Sequence, residues 1–140
     1  MKFHLVNISD PQIAQIRRML DGTPAIDKTA QLFHLAGNAT RLKILYLLDQ
    51  VQEISVGNLA DVLGVSASTV SQHLARLRAS RLVAKRRHRQ TIYHRMTEHP
   101  FNAILRDEVF THSRASGGKS FSSTASTSTG GGGNRRRFPA

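Results

Sequence analysis

From Asp10 to Leu63, apolar residues recur mostly every three or four positions, the spacing of one helix face. Asp10 before Pro11 predicts a helix start, with Asp as N-cap and Pro at the first helical position. Ile13, Ile16 and Leu20 mark its face, and Gly22 stops it. Asp27 predicts the cap of a second helix through Leu32, Phe33 and Ala36, ended by Gly37. The third helix, TRLKILYLLDQ, carries Leu42, Ile44, Leu45, Leu47 and Leu48 around most of its circumference. A helix that apolar belongs at the buried centre of the domain.

Val56, Leu59, Ala60 and Leu63 then sit at i, i+3, i+4 and i+7, a short amphipathic helix stopped by Gly64. The next helix starts after Ser66, its expected N-cap. Two short helices joined by a brief turn containing Gly predict a helix-turn-helix. LVAKRRHR and QTIYHRM follow as two short strands, with a connection near His88 to Gln90 that lacks Gly and leaves the turn type open. A last helix is expected from about His99 to His112, its inner face carried by Phe101, Ile104, Leu105, Val109 and Phe110. The fold class read from this order is mainly α with a small β-hairpin wing, a winged helix-turn-helix.

Composition sets the limits of the domain. From Ser113 the chain is rich in Ser, Thr and Gly with almost no aliphatic residues, the signature of a disordered tail. The expected division is an N-terminal extension with a helix over 1–24, the winged helix-turn-helix domain with the last helix over 25–113 and the tail over 114–140. With no cysteine, disulfides, thiolate zinc sites and cysteine catalysis are excluded. No apolar run reaches membrane-spanning length and the N-terminus does not read as a signal peptide, so no membrane partner and a cytoplasmic location are expected. No nucleophile, base and orienting acid group into a motif, so no enzymatic activity is expected.

Charge changes the picture further. The chain carries 20 Lys and Arg against 9 Asp and Glu. Arg114, Lys119, Arg135, Arg136 and Arg137 lie in the tail, and the remainder still has a basic excess. That excess is concentrated in Arg76, Arg78, Arg81, Lys85, Arg86, Arg87, Arg89 and Arg95, a stretch without a single acid. A basic stripe this dense points to a polyanion.

At about 100° per residue, Val70, Leu74 and Leu77 cluster on one side of the second helix of the pair. Gln72 falls opposite, with Ser68, Ala75 and Ala79 beside it and Thr69, Ser71 and Arg76 flanking. A face entering the major groove needs low bulk, no negative charge and groups able to bond base edges, and this face has all three. Ser68, Thr69, Ser71, Gln72 and Arg76 are therefore the candidate DNA contacts of the helix. Lys85, Arg86, Arg87 and Arg89 are the candidates of the wing, with His88 at its tip. His73, at the edge of the apolar stripe, reads as a packing or phosphate-contacting residue.

LFHLAGNATRLKILYLL, followed by EISVGNLADVLGVSASTVSQHLARLRASRLVAKRRHRQTIYH, resembles the ArsR/SmtB family of bacterial winged-helix repressors over about residues 27–96. The resemblance implies a homodimer through the first and last helices, bound to a double-stranded inverted-repeat operator and in many members released by an inducer. Two-fold symmetry would set the recognition helices one DNA turn apart, roughly 34–36 Å.

The family's Cys-x-Cys site falls here on Val56 and Asn58, which hold no thiophilic ion. Its second site joins the last helices of two subunits. There His99 matches the first histidine, Thr97 replaces the acid before it, and Glu108 and His112 share a face near the end. Two imidazoles and a carboxylate suit Ni2+, Co2+ or Zn2+. His4 and His94 are weaker candidates, and against the metal reading Glu108 also reads as a surface residue and His99, before Pro100, as a helix-start residue. Two alternatives stay open: a metal-independent regulator of the same type, and an architectural protein that binds DNA without sequence choice.

Overall fold

A computed structural model of the chain describes residues 7–116, with side chains as far as Ser113. The helices are α1 (Asp10–Asp21), α2 (Pro24–Ala36), α3 (Ala39–Val51), α4 (Val56–Leu63), α5 (Ala67–Ala79) and α6 (Pro100–Ile104). The last continues through a π-helical segment, Leu105–Phe110, into α7 (Thr111–Ser116). The sheet has β1 (Ile54–Ser55), β2 (Val83–His88) and β3 (Thr91–Met96), all antiparallel, in the order β1-β3-β2. This is the winged helix expected, with β1 added to the hairpin. The Ser/Thr/Gly-rich tail expected to be disordered lies, from Gly117 onward, outside the described residues, as does His4.

The core forms where the apolar stripes meet. Ile44, Leu45 and Leu48 of α3, Leu59 of α4, and Val70, Leu74 and Leu77 of α5 are buried together with Leu82, Val83 and Met96 at the base of the wing. Asn102 fastens the last helix to that base. Its Nδ2 donates to the carbonyl of Leu82 at 2.8 Å and to that of Thr97 at 3.0 Å.

Three expectations shift. Ser9, not Asp10, is the N-cap of α1, and Gln12 Oε1 accepts from its backbone N–H at 2.9 Å. α2 starts at Pro24 after Thr23, so Asp27 lies within its first turn instead of capping it. In α2 Pro24 fixes a helical φ three residues before Asp27, whereas α1 starts at Asp10, one residue before Pro11.

The third correction concerns the last helix. Phe101, Leu105 and Phe110 are buried, whereas Ile104 (46%) and Val109 (37%) are exposed. The five-residue step from Leu105 to Phe110 matches the i→i+5 hydrogen bonding of the π segment, so regular α-helix spacing picks Val109 in place of Phe110. α1 has no buried residue at all, and its Ile13, Ile16 and Leu20 are exposed.

Candidate nucleic-acid interface

The helix-turn-helix is held by side-chain caps. Ser55 Oγ accepts from Asn58 N, and Gly64 ends α4 with φ +65, a conformation that a side chain would oppose. Ser66 Oγ accepts from Thr69 N at 3.1 Å and lies 2.8 Å from Thr69 Oγ1, which fixes the start of α5. Thr69 is thereby half-buried in the cap. Ser68, Ser71, Gln72 and Arg76 are exposed, and Ala75 and Ala79 leave the face between them low. Val70, Leu74 and Leu77 are fully buried beneath.

Strand alternation sorts the basic run onto two faces. Lys85 pairs with His94 and Arg87 with Ile92, in line with the buried pair Val83 and Met96, so these residues share the face turned toward the helices. Arg86 pairs with Tyr93 on the opposite face. There its guanidinium lies 5.8 Å from the Tyr93 ring centre. It also forms a forked contact with Glu53, Nε to Oε1 at 3.1 Å and Nη2 to Oε2 at 2.6 Å. That hydrogen bond holds the Glu53 carboxyl below its ordinary pKa and raises that of Arg86. Arg89 stands at the first position of a two-residue turn with φ +56, where its carbonyl accepts from Arg87 Nε at 3.0 Å. The turn left open by the missing glycine is thus made by an arginine in the left-handed region.

Two histidines lie among the cations. His73 is half-buried, and burial, then Arg41 and Arg76, lower its pKa. His94 is 3% exposed, with Arg78 Nη1 donating to its Nε2 at 3.2 Å. Burial first, then Arg78 and Lys85, lower its pKa. An imidazole facing a guanidinium is a poor ligand for a divalent cation, so His94 drops out as a metal candidate.

The remaining metal candidates are apart within one chain. His99 caps α6, its Nδ1 accepting from Phe101 N at 3.1 Å. Glu108 and His112 lie further along the same helical run, where His112 Nδ1 is 2.9 Å from the Glu108 carbonyl. Nine residues of helix separate His99 from Glu108, roughly 13 Å at the α-helical rise. Among the described residues no three metal-ligating side chains come together. A site using all three requires a second copy.

Sequence reasoning missed Glu53, Arg78 and β1. Arg78 had a signal, since it lies only about 40° from Leu74 on the helix wheel and so had to be partly buried. Glu53 had none, because its partner is far along the chain.

Comparison with known proteins agrees with the geometry. A family profile described as "Bacterial regulatory protein, arsR family" matches residues 38–85. The chain is 37% identical over 106 residues to the HTH-type transcriptional regulator KmtR of Mycobacterium tuberculosis, covering 69% of this chain and 81% of that protein. It is 39% identical over 79 residues to the transcriptional activator HlyU of Vibrio cholerae, covering 56% and 71%. The crystal structure of the transcriptional regulator HlyU from Vibrio vulnificus superimposes with a TM-score of 0.57 at 35% identity, over 69% of this chain and 96% of that one. These relatives are named as transcriptional regulators, not as enzymes. No helix among the described residues is long and apolar enough to cross a membrane.

Proposed function

The chain belongs to the arsR family of bacterial regulatory proteins, and from that premise we propose that it is a sequence-specific DNA-binding repressor acting as a homodimer on an inverted repeat. The observation that carries this reading is the exposed face of α5. Ser68, Ser71, Gln72 and Arg76 stand in solvent over two small alanines, with no acid on that face. Gln72 and Arg76 take the base-reading role, since Gln matches adenine and Arg matches guanine. Ser68, Thr69 and Ser71 supply phosphate or base contacts. Lys85, Arg87 and Arg89 reach phosphates beside the helix, and Arg86 joins them when it leaves Glu53.

The N-terminal extension over 1–24 serves the dimer, residues 25–113 carry DNA binding, and the tail over 114–140 lies outside both. Binding takes place in the cytoplasm, where the DNA is. The inducer part of the reading is separate. Ni2+, Co2+ or Zn2+ bound between His99 of one copy and Glu108 and His112 of the other releases the operator. The exposure of Glu108 and His112, one helical turn apart, favours it.

A gel shift of the full chain on DNA from upstream of its own gene tests both parts. The same protein on a random duplex at the same salt gives the reference. A preference for the upstream duplex, lost on adding one of the three metals, is the expected result. Equal affinity for both duplexes would instead identify an architectural DNA-binding protein. A preference that no metal disturbs would leave a metal-independent regulator, and an H112A variant that responds to metal as the parent does would place the metal site elsewhere.

A further inference from the structure

We propose that the crevice between α5 and the wing is a binding site for one DNA backbone phosphate, with Arg78 as its ligand and His94 as the residue that positions Arg78. The inference rests on the DNA-binding reading above and deepens it. The crevice holds about 190 Å3. That is room enough for a phosphodiester group.

Its polar wall consists of Ser71, Arg78, Lys85 and His94, and its apolar wall includes Leu74 and Ile92. Cross-strand pairing of Lys85 with His94 puts both on the sheet face that looks toward α5. No carboxylate lines this space. The half-buried guanidinium of Arg78 has as its partner a neutral imidazole, not an acid. A positive charge beside apolar walls is costly unless an anion answers it.

The hydrogen bond assigns the imidazole's state. A guanidinium only donates, so His94 Nε2 accepts and the ring proton sits on Nδ1. That Nδ1 is buried and has no partner among the described residues. The depressed basicity of His94, from burial, Arg78 and Lys85, agrees with a neutral ring. The chain therefore places two cations, one hydroxyl and an uncharged orienting ring around a space with room for a phosphate.

The place fits the partner. Ser71 adjoins Gln72 on the groove-facing side of α5, and Lys85 begins the basic run of β2. With α5 in the major groove and the wing tip beyond it, the strand's phosphodiester backbone passes between them. Its anionic oxygens are the natural ligand of such a crevice, and they would lock the orientation of the helix without reading sequence.

The test is fluorescence anisotropy of the full chain over a salt series. One duplex comes from upstream of its own gene, and the other has random sequence and equal length. R78Q should weaken both by the same factor, about ten-fold, and lower the log–log salt slope by about one. R78K should keep the slope. H94F should reproduce R78Q, with H94L serving the same comparison if H94F melts early. H94Q, whose amide oxygen accepts the same hydrogen bond, should behave as the parent. H94F should add nothing in an R78Q background, which a purely structural role for the ring would not explain. An R78Q slope equal to the parent's on both duplexes overturns the site, and a loss confined to the upstream duplex overturns its assignment to backbone phosphate. Additive losses from H94F and R78Q overturn the positioning role. A parent that binds both duplexes equally refutes sequence-specific regulation alone, because the slope comparison still holds on random DNA.

Discussion

Glu53 holds Arg86 of the wing through two hydrogen bonds, the shorter at 2.6 Å, and so occupies a cation that the basic run otherwise offers to DNA. Both side chains are solvent-accessible, so the pair is screened and contributes little to stability. Its larger effect is competition, because a phosphate must displace the carboxylate to reach this guanidinium. E53Q should therefore bind any duplex several-fold more tightly and show a salt slope steeper by about one. Its melting temperature should stay near the parent's. Unchanged affinity and slope would show that Arg86 does not engage DNA.

Arg87 and Arg89 lack that restraint. R87Q/R89Q should weaken binding to all sequences alike and flatten the salt slope by about one unit for each phosphate no longer neutralised. A changed base preference with an unchanged slope, measured on a panel of single-base variants of the bound duplex, would contradict a backbone role.

The helix-turn-helix was legible because its signals are local. Val70, Leu74 and Leu77 set the buried stripe of α5, Ser66 its cap and Gly64 the preceding turn, each within a few residues of what it controls. The caps of α1 and α2 differ from Asp10 and Asp27 because Ser9 forms a capping box with Gln12 and Pro24 starts α2 directly after Thr23. The inner face of the last helix was misread at Val109 because one π turn advances the register to Phe110. Pairings between distant residues, Arg86 with Glu53 and Arg78 with His94, leave no periodic trace at all.

Asn102 tests how firmly the last helix is tied to the wing. N102A removes the donors to the Leu82 and Thr97 carbonyls in a fully buried position. The expected cost is about 1–3 kcal/mol in urea unfolding, with the salt slope of DNA binding unchanged under folding conditions. Stability equal to the parent's would mean that the unpartnered Oδ1 cancels what the two bonds contribute.

The exposed stripe of α1 tests the dimer. Ile16 and Leu20 are 51% and 63% exposed and are not among the residues packed against the core, so charge there should leave the fold of a single copy intact. I16E/L20E should sediment as a monomer where the parent sediments as a dimer, and should lose affinity for an inverted repeat more than for a half-site. A variant that still sediments as a dimer places the interface elsewhere.

Acid should loosen the fold before its carboxylates titrate. His73 and His94 both have pKa values lowered from the ordinary value near 6.5, burial being the first cause in each. Arg41 and Arg76 add to it at His73, and Arg78 and Lys85 at His94. A histidine with a lowered folded pKa takes up a proton more readily when unfolded, so acid favours the unfolded chain. Its contribution is complete above about pH 6.5 and is lost as pH falls through the lower folded values. Melting temperature should accordingly decline between about pH 6.5 and 5, above the ordinary carboxylate range. H73Q/H94Q should flatten that decline while keeping the acceptor opposite Arg78. A double variant whose melting temperature follows the parent's across this interval would show that the acid sensitivity arises from other groups.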